Sequence, residues 1–283
     1  MDNLETNLNE IKDILNLSKE QIEDRKLSLL DFSKNGFPSK KDEDWKFIDL
    51  NRIISSKIPN IKFSNNLVSK KIDNKEIFKN ISKNLLENNY VIFKNGLITD
   101  VVLDHEDKNK FSITKIPVNI KENEYSSLSS LNKAFYLDYL KIVIRENYKF
   151  KKPVLIINYS SPEIENTVIN QRFDLVMEKN SCMSILDLNW NLSENNFYNT
   201  NNNFQLNENS ILKYYKIDLN NNSNIFYSKT NIELYKNSIA ENFIISSGSE
   251  CSKNEIECDL KEKFSSAFVN GIINLDISKQ HEI

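Results

Sequence analysis

Phe173-Asp-Leu175 followed by Asn180-Ser181, Phe204-Gln-Leu206 followed by Asn209-Ser210, and Ile232-Glu-Leu234 followed by Asn237-Ser238 are three copies of one pattern. A fainter fourth copy is Ile256-Glu-Cys258 with Ser265. The Asn-Ser pairs stand 29 and then 28 residues apart. After each pair comes a second apolar run, at Met183–Leu188, Ile211–Leu219, Ile239–Ile245 and Ala267–Leu275. A near-fixed period with two strands per unit, and no long amphipathic helix between units, is the signature of a stacked β-solenoid. In the last run Ala267, Val269, Gly271, Ile273 and Leu275 fall on one face, because alternate residues of a strand point the same way. Asn and Ser suit the corners: Asn tolerates the left-handed conformation, and both hydrogen-bond their own backbone. A β-sandwich would bury similar strands but has no reason to keep the period.

Upstream of residue 146 the grammar differs. Leu4, Leu8, Ile11 and Leu15 line one face of a helix. Ser18-Lys-Glu-Gln21 has the spacing of a capping box, so a second helix starts near residue 19 and runs to Asn35, with Gly36 and Phe37-Pro38 ending it. Lys40-Lys-Asp-Glu-Asp-Trp-Lys46 reads as a solvated helical start whose Trp45 docks onto those helices. Ile77, Ile81 and Leu85 suggest a further helix over 74–89. Tyr90–Phe93 and Leu97–Leu103 flank Asn95-Gly96, the strongest short hairpin signal. Ser126 to Ile144 reads as a short helix followed by a strand. The expected organisation is a helical region with a hairpin over 1–145 and a solenoid over 146–283.

Composition narrows the function. The chain has 283 residues, 37 Lys plus Arg against 40 Asp plus Glu, and a net charge of -3. That balance argues against a broad basic face for nucleic acid. Asn is abundant and Arg is confined to Arg25, Arg52, Arg145 and Arg172, a bias that suggests genome-wide drift. Four glycines leave no Gly-rich phosphate loop, so nucleotide binding through the familiar loops is not expected. The acidic start lacks the apolar segment of a signal peptide, and no window is long and apolar enough to span a membrane. Three cysteines in such a chain read as reduced thiols of the cytoplasm.

Residues able to carry chemistry are few. His105 lies in a hydrophilic loop and reads as a spectator; His281 stands two residues from Ile283, an odd place for a rigid base. Cys182, Cys251 and Cys258 form no close CxxC pair, so each reads as a packed residue, Cys182 at a corner, Cys251 in a loop and Cys258 in a strand. Carboxylates mostly neighbour lysines and form no stacked ladder, which weakens a polysaccharide-processing reading.

Gly36-Phe-Pro-Ser-Lys-Lys-Asp-Glu-Asp-Trp-Lys-Phe-Ile-Asp-Leu50 resembles the N-terminal signature of the SufD family of iron–sulfur cluster assembly proteins, with Ile48 where Thr is usual. Val91–Gly96, Ser130-Leu-Asn-Lys-Ala-Phe135, Ser266-Ala-Phe-Val-Asn-Gly271 and Gln280-His281 resemble later family segments in the same order, although Tyr139 stands where Asp-Gly is common. The related SufB shares the solenoid, but the Trp-Lys signature favours SufD.

The resemblance implies a helical N-terminal domain, a right-handed parallel β-helix and a C-terminal helical domain. It also implies a non-catalytic scaffold role beside a SufB-like subunit and a SufC-like ATPase. Sulfur would come from a cysteine desulfurase system, and the cluster would be assembled transiently by the complex. The family's later coils, with a Cys-x-His-Gly stretch, and its C-terminal helical domain have no counterpart in this sequence, so a truncated, split or frameshifted form is expected. No catalytic, cofactor-binding or metal residue transfers. Two rival readings are a solenoid carbohydrate-active enzyme or binding module, and a plain interaction solenoid.

Overall fold

Four asparagines set the frame. Asn147, Asn180, Asn209 and Asn237 adopt φ of 61°, 58°, 58° and 56°, the left-handed region that Asn tolerates better than other side chains. Each corner therefore turns the chain the same way, and the corners stack. Asn180 donates to Asn147 Oδ1 at 2.7 Å, Asn209 to Asn180 at 2.8 Å and Asn237 to Asn209 at 2.9 Å. The serines beside them turn back on the chain: Ser181 donates to the Glu178 carbonyl and Ser238 to that of Tyr235, each at 2.6 Å. At the next corner Phe264 takes the Asn position at φ 64° with its ring exposed.

The computed structural model describes residues 2–15, 17–63, 87–115, 126–219 and 223–283. It contains α1 (Asp2–Leu15), α2 (Lys19–Asn35), α3 (Leu50–Lys57) and α4 (Ser127–Phe135). The strands are β1 (Asn89–Lys94), β2 (Leu97–Val102), β3 (Phe111–Thr114), β4 (Tyr139–Ile144), β5 (Val154–Ser160), β6 (Val168–Met177) and β7 (Cys182–Asn191). They continue as β8 (Phe197–Leu206), β9 (Ile211–Leu219), β10 (Ile225–Leu234), β11 (Ile239–Ser247), β12 (Cys251–Leu260), β13 (Ser266–Asn274) and β14 (Gln280–Glu282).

The strands form two sheets, ordered β13-β11-β9-β7-β5-β1-β2 and β14-β12-β10-β8-β6-β4-β3. Successive coils pair in parallel, so the chain is mainly β and winds as a parallel solenoid of about five turns. The Asn95-Gly96 hairpin is present, with φ of 56° and 84° at its two turn residues. Its first strand continues the solenoid by pairing in parallel with β5, while β2 and β3 close the two sheets antiparallel.

The repeat is real, but two of its copies are shifted. Strand pairing sets Leu175 against Phe204 and Met177 against Leu206, so the counterpart of Phe204-Gln-Leu206 is Leu175-Val-Met177. Likewise Ile232 pairs with Cys258, not Ile256. Both shifts are two residues, which leaves every side chain on the same face. That is why the alternation still identified the core. A second series of corners escaped the sequence reading: Asn166 and Asn195 also have positive φ, and Asn196 and Asn224 accept backbone N–H groups of the preceding coil.

The helices cover the outer face of the second sheet. The Ser18–Gln21 capping box forms at the start of α2 as expected. Helix α4 lies on β6 and β8, where Asn132 donates to the carbonyls of Gln171 and Asn199 at 3.0 and 2.7 Å. Trp45 departs from expectation: besides the helical core it meets the sheet itself. Its ring lies 5.5 Å from that of Tyr227 on β10, with Lys253 Nζ 5.1 Å from the Trp45 centroid. The indole needs a large apolar platform, and the sheet face supplies one. The helix suggested over 74–89 falls almost entirely on residues outside those described.

Because Asn209 holds both a left-handed φ and two rungs of the ladder, Asn209→Ala should lose about 1–3 kcal/mol. Asn209→Gly keeps the conformation and should lose less. Thermal unfolding of the two variants tests this, with a lower Tm for the alanine form as the expected order.

Candidate functional site

The solenoid interior divides along its axis. Next to the Asn-Ser corners the space between the sheets is apolar, filled by Leu175, Met177, Phe204, Leu206, Ile232 and Leu234 against Met183, Ile185, Leu212 and Ala240. Toward the opposite corners it is polar. On β7 the buried face continues from Ile185 to Asp187 and on β9 from Tyr214 to Lys216 and Asp218, while on β11 Asn242 and Ser246 flank a buried Ile244. The second sheet adds buried Asn202, Ser228, Thr230, Ser252 and Asn254. A coil reverses direction between its two sheets, so strands that begin polar in one and end polar in the other meet at the same side.

Strand register assembles the charged centre of this seam. It sets Asp187 beside Lys216, Asn189 beside Asp218, and Tyr214 beside Asn242. Asp187 accepts from Asn158 Nδ2 at 2.7 Å through one oxygen and from the Tyr214 hydroxyl through the other. Asn202 donates to the Tyr214 oxygen at 3.4 Å and to Thr230 Oγ1 at 3.2 Å, which ties the two sheets across the interior. Asp218 accepts from Asn189. Burial pushes the Asp187 carboxyl above its ordinary range, against the opposing pull of Lys216, Tyr214 and Asn158. Burial and the neighbouring Asp187 carboxylate raise the Tyr214 hydroxyl far above its usual value.

His281 closes the seam at β14. Its Nδ1 lies 2.9 Å from Ser246 Oγ, and its Nε2 lies 3.0 Å from the Ser249 carbonyl and 3.1 Å from Ser249 Oγ. A carbonyl only accepts, so these partners assign the proton to Nε2 and leave Nδ1 accepting from Ser246. The residue whose place in the sequence is odd for a rigid base is thus held by three polar contacts to Ser246 and Ser249. Nothing in the sequence pattern signalled this, because β14 has three residues and no alternation to read.

The other chemical candidates do not converge. His105 is exposed. Its neighbour Glu106, unremarked in sequence, is buried and accepts from Asn89, Tyr148 and the backbone N–H groups of Lys151 and Lys152. Burial alone would raise its proton affinity, but these hydrogen bonds outweigh it and hold the carboxyl below its usual value. Cys251 opens β12 rather than lying in a loop. It faces the helices while Cys258, seven residues on along the same strand, packs toward the solenoid core. The two thiols therefore point to opposite faces and cannot share a ligand. Burial pushes the Cys251 thiol up to about 12. Among the described residues no three His, Cys, Asp or Glu side chains group to hold a metal ion.

Two buried guanidinium groups pin the helices to the sheet. Arg25 donates to the carbonyls of Ala134 and Tyr136 at 3.0 and 2.9 Å and lies 4.0 Å from the Tyr136 ring. Arg172 of β6 sits 5.7 Å from the same ring and donates to Asn132 Oδ1 at 3.3 Å. Complete burial lowers its proton affinity to about 10, so it stays charged at neutral pH. Its role is architectural.

The model of one known family matches residues 159–283: SUF system FeS cluster assembly, SufBD core domain. That span begins within β5 and runs through every later coil of the solenoid. The match supports the SufB/SufD family and a role in Suf iron–sulfur cluster assembly. No curated protein matches the chain. Among the described residues no helix is long and apolar enough to cross a membrane.

Two measurements test this geometry. A carboxyl with a raised folded pKa favours folding most at low pH, and that contribution is lost as pH rises through the folded value. Asp187→Asn removes the dependence, so its stability relative to the native chain should improve between pH 4 and pH 7; denaturant unfolding across that range reports it. In alkylation of the native protein at pH 8, Cys251 should stay unmodified long after Cys182 has reacted, as mass mapping of the labelled peptides would show.

Proposed function

We propose that this chain is a non-catalytic scaffold subunit of a SufBCD-type complex, of the SufD kind, that helps assemble iron–sulfur clusters as cargo. The observation carrying this reading is the coincidence of the family match over 159–283 with the stacked coils. The Trp45 segment adds to it. The SufD-like signature docks directly on β10 and β12, so the segment that distinguishes the subunit and the segment that carries the family core form one packed unit.

The cytoplasm is the expected location, with a SufB-like subunit and a SufC-like ATPase as partners and a desulfurase system as the sulfur source. Such a subunit works through its surfaces. The last long strand offers one, because Phe268 and Ile272 of β13 are each more than half exposed on the outer face of the first sheet. The carbohydrate-active reading has less support, since the family match over the coils is to a cluster-assembly core domain.

Co-expression of the chain with SufB and SufC of the same organism, followed by affinity capture and native mass spectrometry, tests the proposal. Recovery of a stoichiometric complex with SufB is expected. A folded chain, verified by circular dichroism, that captures neither protein would overturn it.

A further inference from the structure

On the outer face of the first sheet, register lays Ile92, Ile157, Leu188, Ile217, Ile245 and Ile272 in one row across β1, β5, β7, β9, β11 and β13. The row changes character along its length. Ile92 and Ile157 are fully buried, whereas Ile272 is 54 % exposed. Tyr215 and Leu219 of β9 and Phe268 of β13, on the same face, are exposed as well. One apolar surface is thus interior at the β1–β5 end and open to solvent toward β13.

Charge sharpens the contrast. The outward side chains are those alternate to Met183, Ile185, Leu212 and Ala240 of the core. On β7, β9, β11 and β13 they include two charged residues, Lys213 and Glu241. The outer face of the second sheet differs: β10 and β12 present Glu233, Glu257 and Asp259 with exposed carboxylates. That face is made for water and the first is not. A continuous exposed apolar face with so few charges marks a contact with another protein.

The two charges identify the occupant. Lys213 and Glu241 stand at paired positions on adjacent strands, 3.3 Å apart and both partly exposed. Consider a two-fold axis parallel to the strands and midway between β9 and β11. It lays β9 of one copy over β11 of the other and preserves every height along the strands. Lys213 then faces Glu241 of the second copy, and by symmetry the reverse pair forms too. Tyr215 lies over Phe243, Ile217 over Ile245 and Leu188 over Ile272, at the spacing of about 10 Å usual for stacked sheets. An unrelated partner would have to supply opposite charges at both positions, whereas a second copy brings them through the symmetry itself.

We propose that the outer face of β7, β9, β11 and β13 is a self-docking surface, on which a second copy of this chain packs about that two-fold axis. The inference rests on the packing and charge of this face, and it stands whether or not the chain works in cluster assembly.

Sedimentation equilibrium of the full chain tests it, with circular dichroism verifying the fold of each variant. The native chain should be dimeric at micromolar concentration. Phe268→Lys combined with Ile272→Lys alters only exposed side chains and should leave a folded monomer. Lys213→Glu sets like charges across the axis and should weaken the dimer about tenfold, as should Glu241→Lys. The two charge reversals together restore opposite charges and should return the affinity. Their effect within one chain is the same in monomer and dimer, so it cancels from the dissociation constant. A native chain that stays monomeric, or a dimer that none of these variants weakens, would overturn the proposal. So would a chain that is monomeric alone and binds a SufB-like subunit through this face, seen as a heteromer lost with Phe268→Lys and Ile272→Lys.

Discussion

In-register parallel stacking governs this molecule. Once coils pair with a near-constant offset, each residue lies on its counterpart one coil away, and any side chain that bonds with its own kind becomes a ladder. Asparagine does this well, because its amide both donates and accepts. The corner ladder from Asn147 to Asn237 follows from this, as does the Asp174–Asn203–Asn231 row on the outer face of the second sheet. The abundance of asparagine can begin as compositional drift and still be used structurally, since the fold places so many of these residues where amide can meet amide.

Stacking also explains which parts of the sequence were legible. Period, face and corner are repeated properties, and errors in one copy are corrected by its neighbours. The two-residue slips at Phe173 and Ile256 cost nothing for that reason, because alternation survives an even shift. The capping box at Ser18, the Asn-Gly hairpin and the helix before β4 were readable from local chemistry alone.

What could not be read depends on which parts of the chain meet. Trp45 carries no local sign that its partners are Tyr227 and Lys253, some two hundred residues away. His281 looks like an appendage until β14 pairs with β12 and brings it to Ser246 and Ser249. Asp187, Lys216 and Asp218 each stand in a strand whose other members are ordinary, and only the register joins them. The corner series at Asn166 and Asn195 was missed for a different reason: it keeps a spacing of 29 residues, but Thr167 and Asn196 follow its asparagines, so no repeated Asn-Ser pair marks it.

The seam poses an energetic question that the apolar half does not. Buried charges seldom add stability over well-packed apolar residues, and removing one partner is far costlier than replacing the whole set. A solenoid needing only cohesion would fill both halves with Leu, Ile and Val, as this one does beside the Asn-Ser corners. Retaining Asp187, Lys216, Asp218 and Asn242 in adjoining coils gives something cohesion does not: a fixed register. An apolar interior tolerates a two-residue slip between coils, because any aliphatic side chain can follow another. A set joined by hydrogen bonds and charge over β5, β7 and β9 does not, since a slip of two would set Lys216 beside Ile185 or Asn189 and leave Asp187 without its lysine. The polar half thus specifies the coil alignment that the apolar half leaves degenerate, and it does so at the cost of burying charged and polar groups.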